Sequence, residues 1–460
     1  MNNLRLINFR NIGDSKQIEL KPLTFFVGKN GAGKSSVLRL LPLLKQSLNE
    51  AKRGPLLWYT ENGVDFGDFK TTVMKGESSI GIGFDINVST PRRTVQTLTV
   101  LMQIEAEKGD EQYDYVSSLR ICYSDVVITI DFHHDKAQVI VNGEDMGYFP
   151  FYIQSYGLFP SVFSNEREKD EKLIDEIYEI LYPKRTVVYR GSYNFIYISF
   201  AEFAKKLSGK EIRYNIKNLF GRIVCMNLEE ILNRIYMNLI NEMRNLTYIG
   251  PFRNSPQRYY RVQNKSTRMI DMYGSNMAVF VKAMSKDQLK ELNDKLRPKY
   301  GFELDYESKF GQISLYIKKD KKKTNLIDNG YGYSQLMPIL LALNAFNHGI
   351  MLPGTFTNML CVEQPELHLH PKMQYEFGTT LVDAVGISRI NKNEERRILI
   401  ETHSRQIIEA VGRAIYNRQI QADDVAVYLF EQGLNNRAVI KKTEFNKEGY
   451  LMNWPIGFLG

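Results

Sequence analysis

Gly28-Lys29-Asn30-Gly31-Ala32-Gly33-Lys34-Ser35 has the spacing GxxxxGKS, which suits the binding of a polyphosphate. Gly28, Gly31 and Gly33 permit backbone angles closed to other residues and let amides approach a phosphate closely. Lys34 can reach β- and γ-phosphates, and the Ser35 hydroxyl can ligand Mg²⁺. Three later stretches also place reactive groups at the ends of apolar runs. Asp328-Asn329-Gly330-Tyr331-Gly332-Tyr333-Ser334-Gln335 opens the apolar run LMPILLALNAF, with Ser334 where a helix N-cap is expected, a second potential anion site. Asn358-Met359-Leu360-Cys361-Val362 ends in Glu363-Gln364-Pro365-Glu366, and a carboxylate there can position Mg²⁺ opposite the phosphate loop. Arg397-Ile398-Leu399-Ile400-Glu401 runs into Thr402-His403-Ser404. His403 alone would read as a core histidine, but its place after a third such run favours function.

These groups need elements to hold them. Phe25-Phe26-Val27 is an apolar, β-prone run, and Ser36 to about Asn49 has helical apolar spacing, so the loop joins a strand to a helix whose N-terminus adds free N–H groups. Asn3–Phe9 alternates as a strand, with a second strand at Lys16–Leu20. From Gly63 to about Ile153 the chain reads as β-rich, including a hairpin whose loop carries His133 and His134. Two histidines with no further ligand nearby read as solvated loop residues and not as a metal site. NEREKDEKLIDEIYEIL predicts an amphipathic helix. MNLEEILNRIYMNLINEM predicts another, with Asn227 and Glu230 spaced as a capping box. Strands return at Phe302–Glu307 and Gln312–Ile317. The expected division is an N-terminal lobe at 1–164, a mainly helical insertion at 165–300 and a C-terminal lobe at 301–460. Arginines alternate with tyrosines from Tyr248 to Arg261, which suits either nucleic-acid binding or bracing between lobes. The lysine run at 318–323 reads as a solvated hairpin tip or a phosphate-backbone contact.

At 460 residues the chain exceeds one hydrophobic core. Its net charge of +8 permits a nucleic-acid face without requiring one. The three scattered cysteines read as reduced thiols of a cytoplasmic protein, and no signal peptide or membrane-spanning run is visible.

GKNGAGKS, GYGYSQ, LCVEQPELHLHP and ETHS occur in the order of an ABC-type ATPase, resembling its Walker A loop, signature, Walker B strand with D-loop, and switch histidine. The chain is similar to compact Rad50/SMC/OLD-like ATPases without long coiled coils, and within them to the AAA-15 and DUF3696 families. LRLINFRNIGD, VDFGDF, YIGPFR and NWPIGF fit that group. The resemblance implies an α/β fold, an ABC-type P-loop ATPase head with a β-rich N-terminal lobe and an inserted helical subdomain. It implies ATP and Mg²⁺ as cofactors. Asn30, Gly31, Gly33, Lys34, Ser35 and Ser36 would hold phosphates, joined by Arg10. Ser35 and Glu363 would position Mg²⁺. Ser334 and Gln335 would touch the γ-phosphate bound to a second protomer, and His403 would sense that of its own protomer.

One departure bears on chemistry: Gln364 stands where such ATPases commonly carry a catalytic glutamate. A glutamine amide orients water but cannot accept its proton. Slow hydrolysis, help from Glu366 or His403, and a substitution that traps ATP all fit; the likeness of EQPE to DUF3696-like chains favours slow hydrolysis. OLD-type nucleases carry a Toprim domain after the histidine, and the segment after His403 is too short for one. The resemblance therefore implies the sensor subunit of a bacterial anti-phage system of the PARIS or Septu kind. Such a subunit would form a homodimer or higher homo-oligomer and control an effector, a nuclease or toxin, encoded in trans. The alternative is a RecF/Rad50-like ATPase acting on DNA; a transporter subunit is the weakest reading.

Overall fold

Leu23–Gly28 is buried at every position, as are Met359–Glu363 and Arg397–Thr402. Continuous apolar runs of this kind form strands covered on both faces. In the computed structural model they lie side by side in a six-stranded sheet ordered Leu246–Ile249, Met359–Glu363, Arg397–Thr402, Leu23–Gly28, Val425–Gln432, Ala438–Thr443. The first five strands pair in parallel and the last antiparallel. Leu23, Phe25, Val27, Val362 and Ile400 join one hydrophobic core with Phe377 and Ile407, which lie on the helices Pro371–Ile390 and Arg405–Tyr416. The opposite face carries Glu363, Glu401, Phe26 and Tyr428, which lie in register on four neighbouring strands.

The structure describes residues 1–89, 95–107, 110–153, 157–163, 199–208, 215–261, 269–348, 358–390 and 396–453. Contacts group the chain into two compact units, on boundaries other than 164 and 300: Met1–Glu19 with Leu43–Met243, and Leu20–Pro42 with Arg244–Gly460. The phosphate loop groups with the second because the strand before it pairs with Arg397–Thr402 and Val425–Gln432. The first unit holds a ten-stranded antiparallel sheet in which Asn3–Phe9 pairs with Ser79–Ser89 and long hairpins continue outward to Ser161–Val162. His133 and His134 sit exposed at one hairpin tip, as the alternation of VVITIDF and QVIV predicts.

Several expectations are adjusted. The helix after the loop is split into Lys34–Leu38 and Leu40–Asn49, since Pro42 has no N–H for the Leu38 carbonyl. Asn227 does not cap the helix Leu228–Arg244; it ends the helix before it, donating its amide to the Ile223 carbonyl (2.7 Å), and Glu230 pairs with Arg234. The helix expected at NEREKDEKLIDEIYEIL lies outside the described residues, as does most of NWPIGF. The lysine run closes a hairpin through Asp320 and Lys321, both at positive φ, and Lys318 and Lys323 pair with Asp305 at 2.8 and 3.0 Å.

Gly28 ends the loop strand so close to its neighbour that a Cβ would lie 2.3 Å from the Phe430 carbonyl oxygen. Gly28→Ala is expected to destabilise the protein by about 1–3 kcal/mol through overpacking. Denaturant unfolding followed by circular dichroism measures this, and an unchanged midpoint would contradict the close approach.

Candidate active site

The phosphate loop has the geometry its glycines anticipate: Gly31 and Gly33 have φ of 76° and 100°. Lys29, Asn30 and Gly31 are exposed, while Lys34 and Ser36 are buried. The Lys34 ammonium turns back onto the loop, donating to the carbonyls of Gly28 (2.9 Å) and Lys29 (2.8 Å). Burial lowers its pKa, and the carboxylates of Glu401, Glu366 and Glu363 oppose that shift.

Glu363 is 1% exposed and fully engaged. Arg39 binds it with both arms of its guanidinium, Nε to Oε1 and Nη2 to Oε2, each 2.7 Å. The Tyr248 hydroxyl donates to Oε1 at 2.7 Å. The bidentate bond to Glu363 raises the Arg39 pKa further, and burial raises that of Tyr248. Arg253 donates through Nη2 to the backbone carbonyls of Glu363 and Gln364. Gln364 sits at φ 43°, in the left-handed region, with its N–H on the Glu401 carbonyl (2.8 Å). A non-glycine residue held there by its surroundings is a common mark of a functional turn.

One strand over, Glu401 pairs in register with Glu363 and again with Phe26 of the loop strand. Its Oε1 lies 4.0 Å from the Lys34 ammonium, the nearby Ser35 hydroxyl opposes the rise of its pKa, and its Oε2 is buried without a partner. Burial first, and then the charge of Glu363, push its pKa up to about 7. Glu366 accepts from the Thr402 hydroxyl (2.8 Å) and the His403 N–H (2.7 Å), and burial raises its pKa. The His403 imidazole keeps Nε2 buried without a partner, and burial, aided by Lys34, pulls its pKa down to about 4. Ser404 caps the helix Arg405–Tyr416. His403, Glu366 and Ser404 line an open cleft of about 490 Å³.

Ser334 is not an N-cap: the helix Tyr331–His348 begins three residues earlier, and the Ser334 hydroxyl donates back to the Tyr331 carbonyl (2.7 Å). Ser334 and Gln335 are both buried, and Gln335 donates to the Arg253 carbonyl (3.3 Å). The turn stays closed because Gly332 packs on the His368 carbonyl, only 2.8 Å from where a Cβ would stand. Arg10 lies in the other compact unit, its guanidinium 4.6 Å from the centre of the Phe66 ring. Sequence reasoning missed Arg39, Tyr248, Arg253 and Glu401 as site residues. A charged residue ending an apolar strand singled out Glu363, and the same signal was present at Glu401.

Hard oxygen donors suit Mg²⁺, which is commonly held by one or two carboxylates plus substrate phosphate. Ser35 and the unpartnered oxygen of Glu401 meet that description. The mainly parallel sheet, glycine-rich loop and strand-end carboxylates define a P-loop ATPase head of α/β fold. The chain belongs to the AAA ATPase domain family (AAA_15), whose profile matches residues 1–408. Over an alignment 133 positions long, which covers 26% of this chain, the sequence is 27% identical to Endonuclease GajA from Bacillus cereus (strain HuB5-5). The match spans only 18% of that relative's length. Among solved structures, the chain is similar to the SMC head domain from Thermotoga maritima (11% identity, 96% of this chain and 97% of that one, TM-score 0.38). It is also similar to an SmcHead bound to the C-winged helix domain of ScpA (11% identity, 97% and 98% covered, TM-score 0.39).

Two measurements test this geometry. Truncating Arg39 to Leu leaves the Glu363 charge buried and is expected to cost about 3–5 kcal/mol, much of it recovered by adding Glu363→Gln. A double-mutant cycle by denaturant unfolding reads the coupling, and additive effects would contradict the pair. His403 is expected to titrate near pH 4 in a histidine NMR titration, against an unfolded value near 6.5. The unfolded chain then binds a proton that the folded one refuses, so this histidine's contribution to stability is lost as pH falls from 6.5 towards 4. A folded midpoint at 6.5 would contradict its burial.

Proposed function

We propose that this ATPase binds ATP with Mg²⁺, hydrolyses it slowly, and acts as a homodimer or larger assembly. In this reading it is the sensor subunit of a bacterial anti-phage system and holds an effector encoded in trans. The observation that carries slow turnover is the state of the groups around Gln364. The amide cannot take a proton from water. Both oxygens of Glu366 are committed to Thr402 and His403, and the low pKa of His403 makes it a weak base. A switch that closes on ATP and reopens slowly suits a latch better than a motor. When bound, Mg²⁺ supplies charge neutralisation between the phosphates. Lys34 would leave the loop carbonyls for the phosphate oxygens, and Gln364 would orient the attacking water.

Control of a nuclease effector draws support from the local similarity to an endonuclease, and the defence setting rests on the family resemblance. The DNA-end reading gains nothing from the lysine hairpin, since Lys318 and Lys323 are paired with Asp305 and Glu307. Because Ser334 and Gln335 are buried in the single chain, contact with a partner's nucleotide would require the first turn of their helix to open.

Gln364→Glu is expected to raise steady-state phosphate release by roughly 10²-fold, the lower end of general-base contributions, and to shorten the life of the ATP-bound assembly in size-exclusion runs. Rapid turnover by the native protein, many cycles per second, would remove the latch. Lys34→Ala is expected to weaken ATP binding by about tenfold or more through loss of a charge-assisted contact. Calorimetric titration decides this, and unchanged affinity would contradict the role of the loop.

A further inference from the structure

We propose that the divalent cation at Ser35 is held by Glu401, and that Glu363, the carboxylate expected from the motif order to hold it, serves instead as the fixed counter-charge of Arg39. The inference rests on the ATPase reading and assigns its metal carboxylate. Three observations carry it. Every oxygen of the Glu363 carboxylate is already taken, two contacts by the Arg39 guanidinium and one by the Tyr248 hydroxyl. A cation would have to displace a buried bidentate pair to gain this carboxylate. Glu401, in contrast, has a side chain only 2% exposed with one oxygen that meets no donor. A buried carboxylate oxygen without a partner is costly, and a cation is the kind of ligand that satisfies it.

The third observation is register. Glu363 and Glu401 are paired across adjacent parallel strands, and Glu401 is in turn paired with Phe26, two residues before the loop begins at Gly28. Both carboxylates therefore point to the same face, but Glu401 is nearer the loop by one strand spacing, about 4.8 Å. It is Glu401, too, that the Ser35 hydroxyl and the Lys34 ammonium approach. A hydroxyl and a carboxylate next to a phosphate-binding lysine form a partial set of hard oxygen ligands, to be completed by phosphate and water. Glu363 would then act through Arg39, holding the turn after the phosphate loop in place.

The test uses the full chain, Mn²⁺ as a paramagnetic probe and β,γ-imido-ATP as a nucleotide that does not turn over. Nucleotide affinity is first measured in EDTA, then Mn²⁺ affinity of the nucleotide complex by electron paramagnetic resonance. Glu401→Gln is expected to lower Mn²⁺ affinity by about tenfold or more, with nucleotide affinity in EDTA retained. The shorter Glu401→Asp should lower it by a smaller factor, and provides the measurement if the amide variant fails to fold. The double variant Arg39→Leu with Glu363→Gln, which removes both members of the pair, should keep Mn²⁺ affinity closer to native than either Glu401 variant does. Native Mn²⁺ affinity in either Glu401 variant, or a tenfold loss in the double variant alone, overturns the assignment. If the native protein binds no nucleotide, the ATPase reading itself fails, a result distinguishable from both.

Discussion

The floor of this site is a set of charges that apolar packing cannot satisfy. Glu363, Glu366 and Glu401 meet Lys34, Arg39 and Arg253 where water is largely excluded. Moving an isolated ion into such surroundings costs several kcal/mol even after relaxation. Each charge is tolerable only because others lie beside it. The members come from segments scattered along the chain: the loop and its helix, the turn after Leu246–Ile249, and the ends of two strands in the last quarter. Removing one leaves its partner stranded, so the site and the stability of its sheet depend on the same contacts.

The pairing is also directional. Arg39 grips Glu363 by two parallel hydrogen bonds, a geometry a lysine could not reproduce. Arg253 holds the carbonyls of Glu363 and Gln364, and burial lowers its pKa to about 10 while leaving Nε and Nη1 without partners. Glu366 then ties the same turn to Thr402 and His403. Tyr248 and Arg253 thus hold Glu363 and the backbone of Gln364, and Glu366 holds the backbone at His403. Such preorganisation lets a site meet developing charge without rearranging at the moment of reaction.

What could be read from the sequence divides along physical lines. The phosphate loop was legible because its requirements are local: glycines at fixed spacing, then lysine and serine, between a strand and a helix. The buried strands at Met359 and Arg397 were legible from unbroken apolar runs. Arg39, Tyr248 and Arg253 were not, because the carboxylate and carbonyls they hold lie more than a hundred residues away in sequence, whereas Glu401 ends an apolar run as Glu363 does and was passed over. The Arg–Tyr segment suits nucleic acid and bracing between lobes equally in sequence; in the structure Tyr248 and Arg253 hold the Glu363–Gln364 turn, a role neither reading named. Ser334 resembles a cap because glycine at 332 suggests a helix not yet begun. Packing against His368 instead lets the helix start at Tyr331. Asn227 resembles a cap for the helix Leu228–Arg244, but the helix Ile216–Met226 needed an end.

The position of Leu23–Gly28 within its sheet has a consequence for synthesis of the chain. This strand is flanked on both sides by strands that come far later in the chain, beginning at Arg397 and Val425. At translation rates of roughly 5–20 residues per second, it waits on the order of 20–75 s for its neighbours. Throughout that interval Phe25, Phe26 and Val27 have no native sheet to enter, and an apolar β-prone segment in that state is prone to pair with other chains. The sheet that carries the phosphate loop can therefore close only after Val425–Gln432 has been made, however early the loop itself appears.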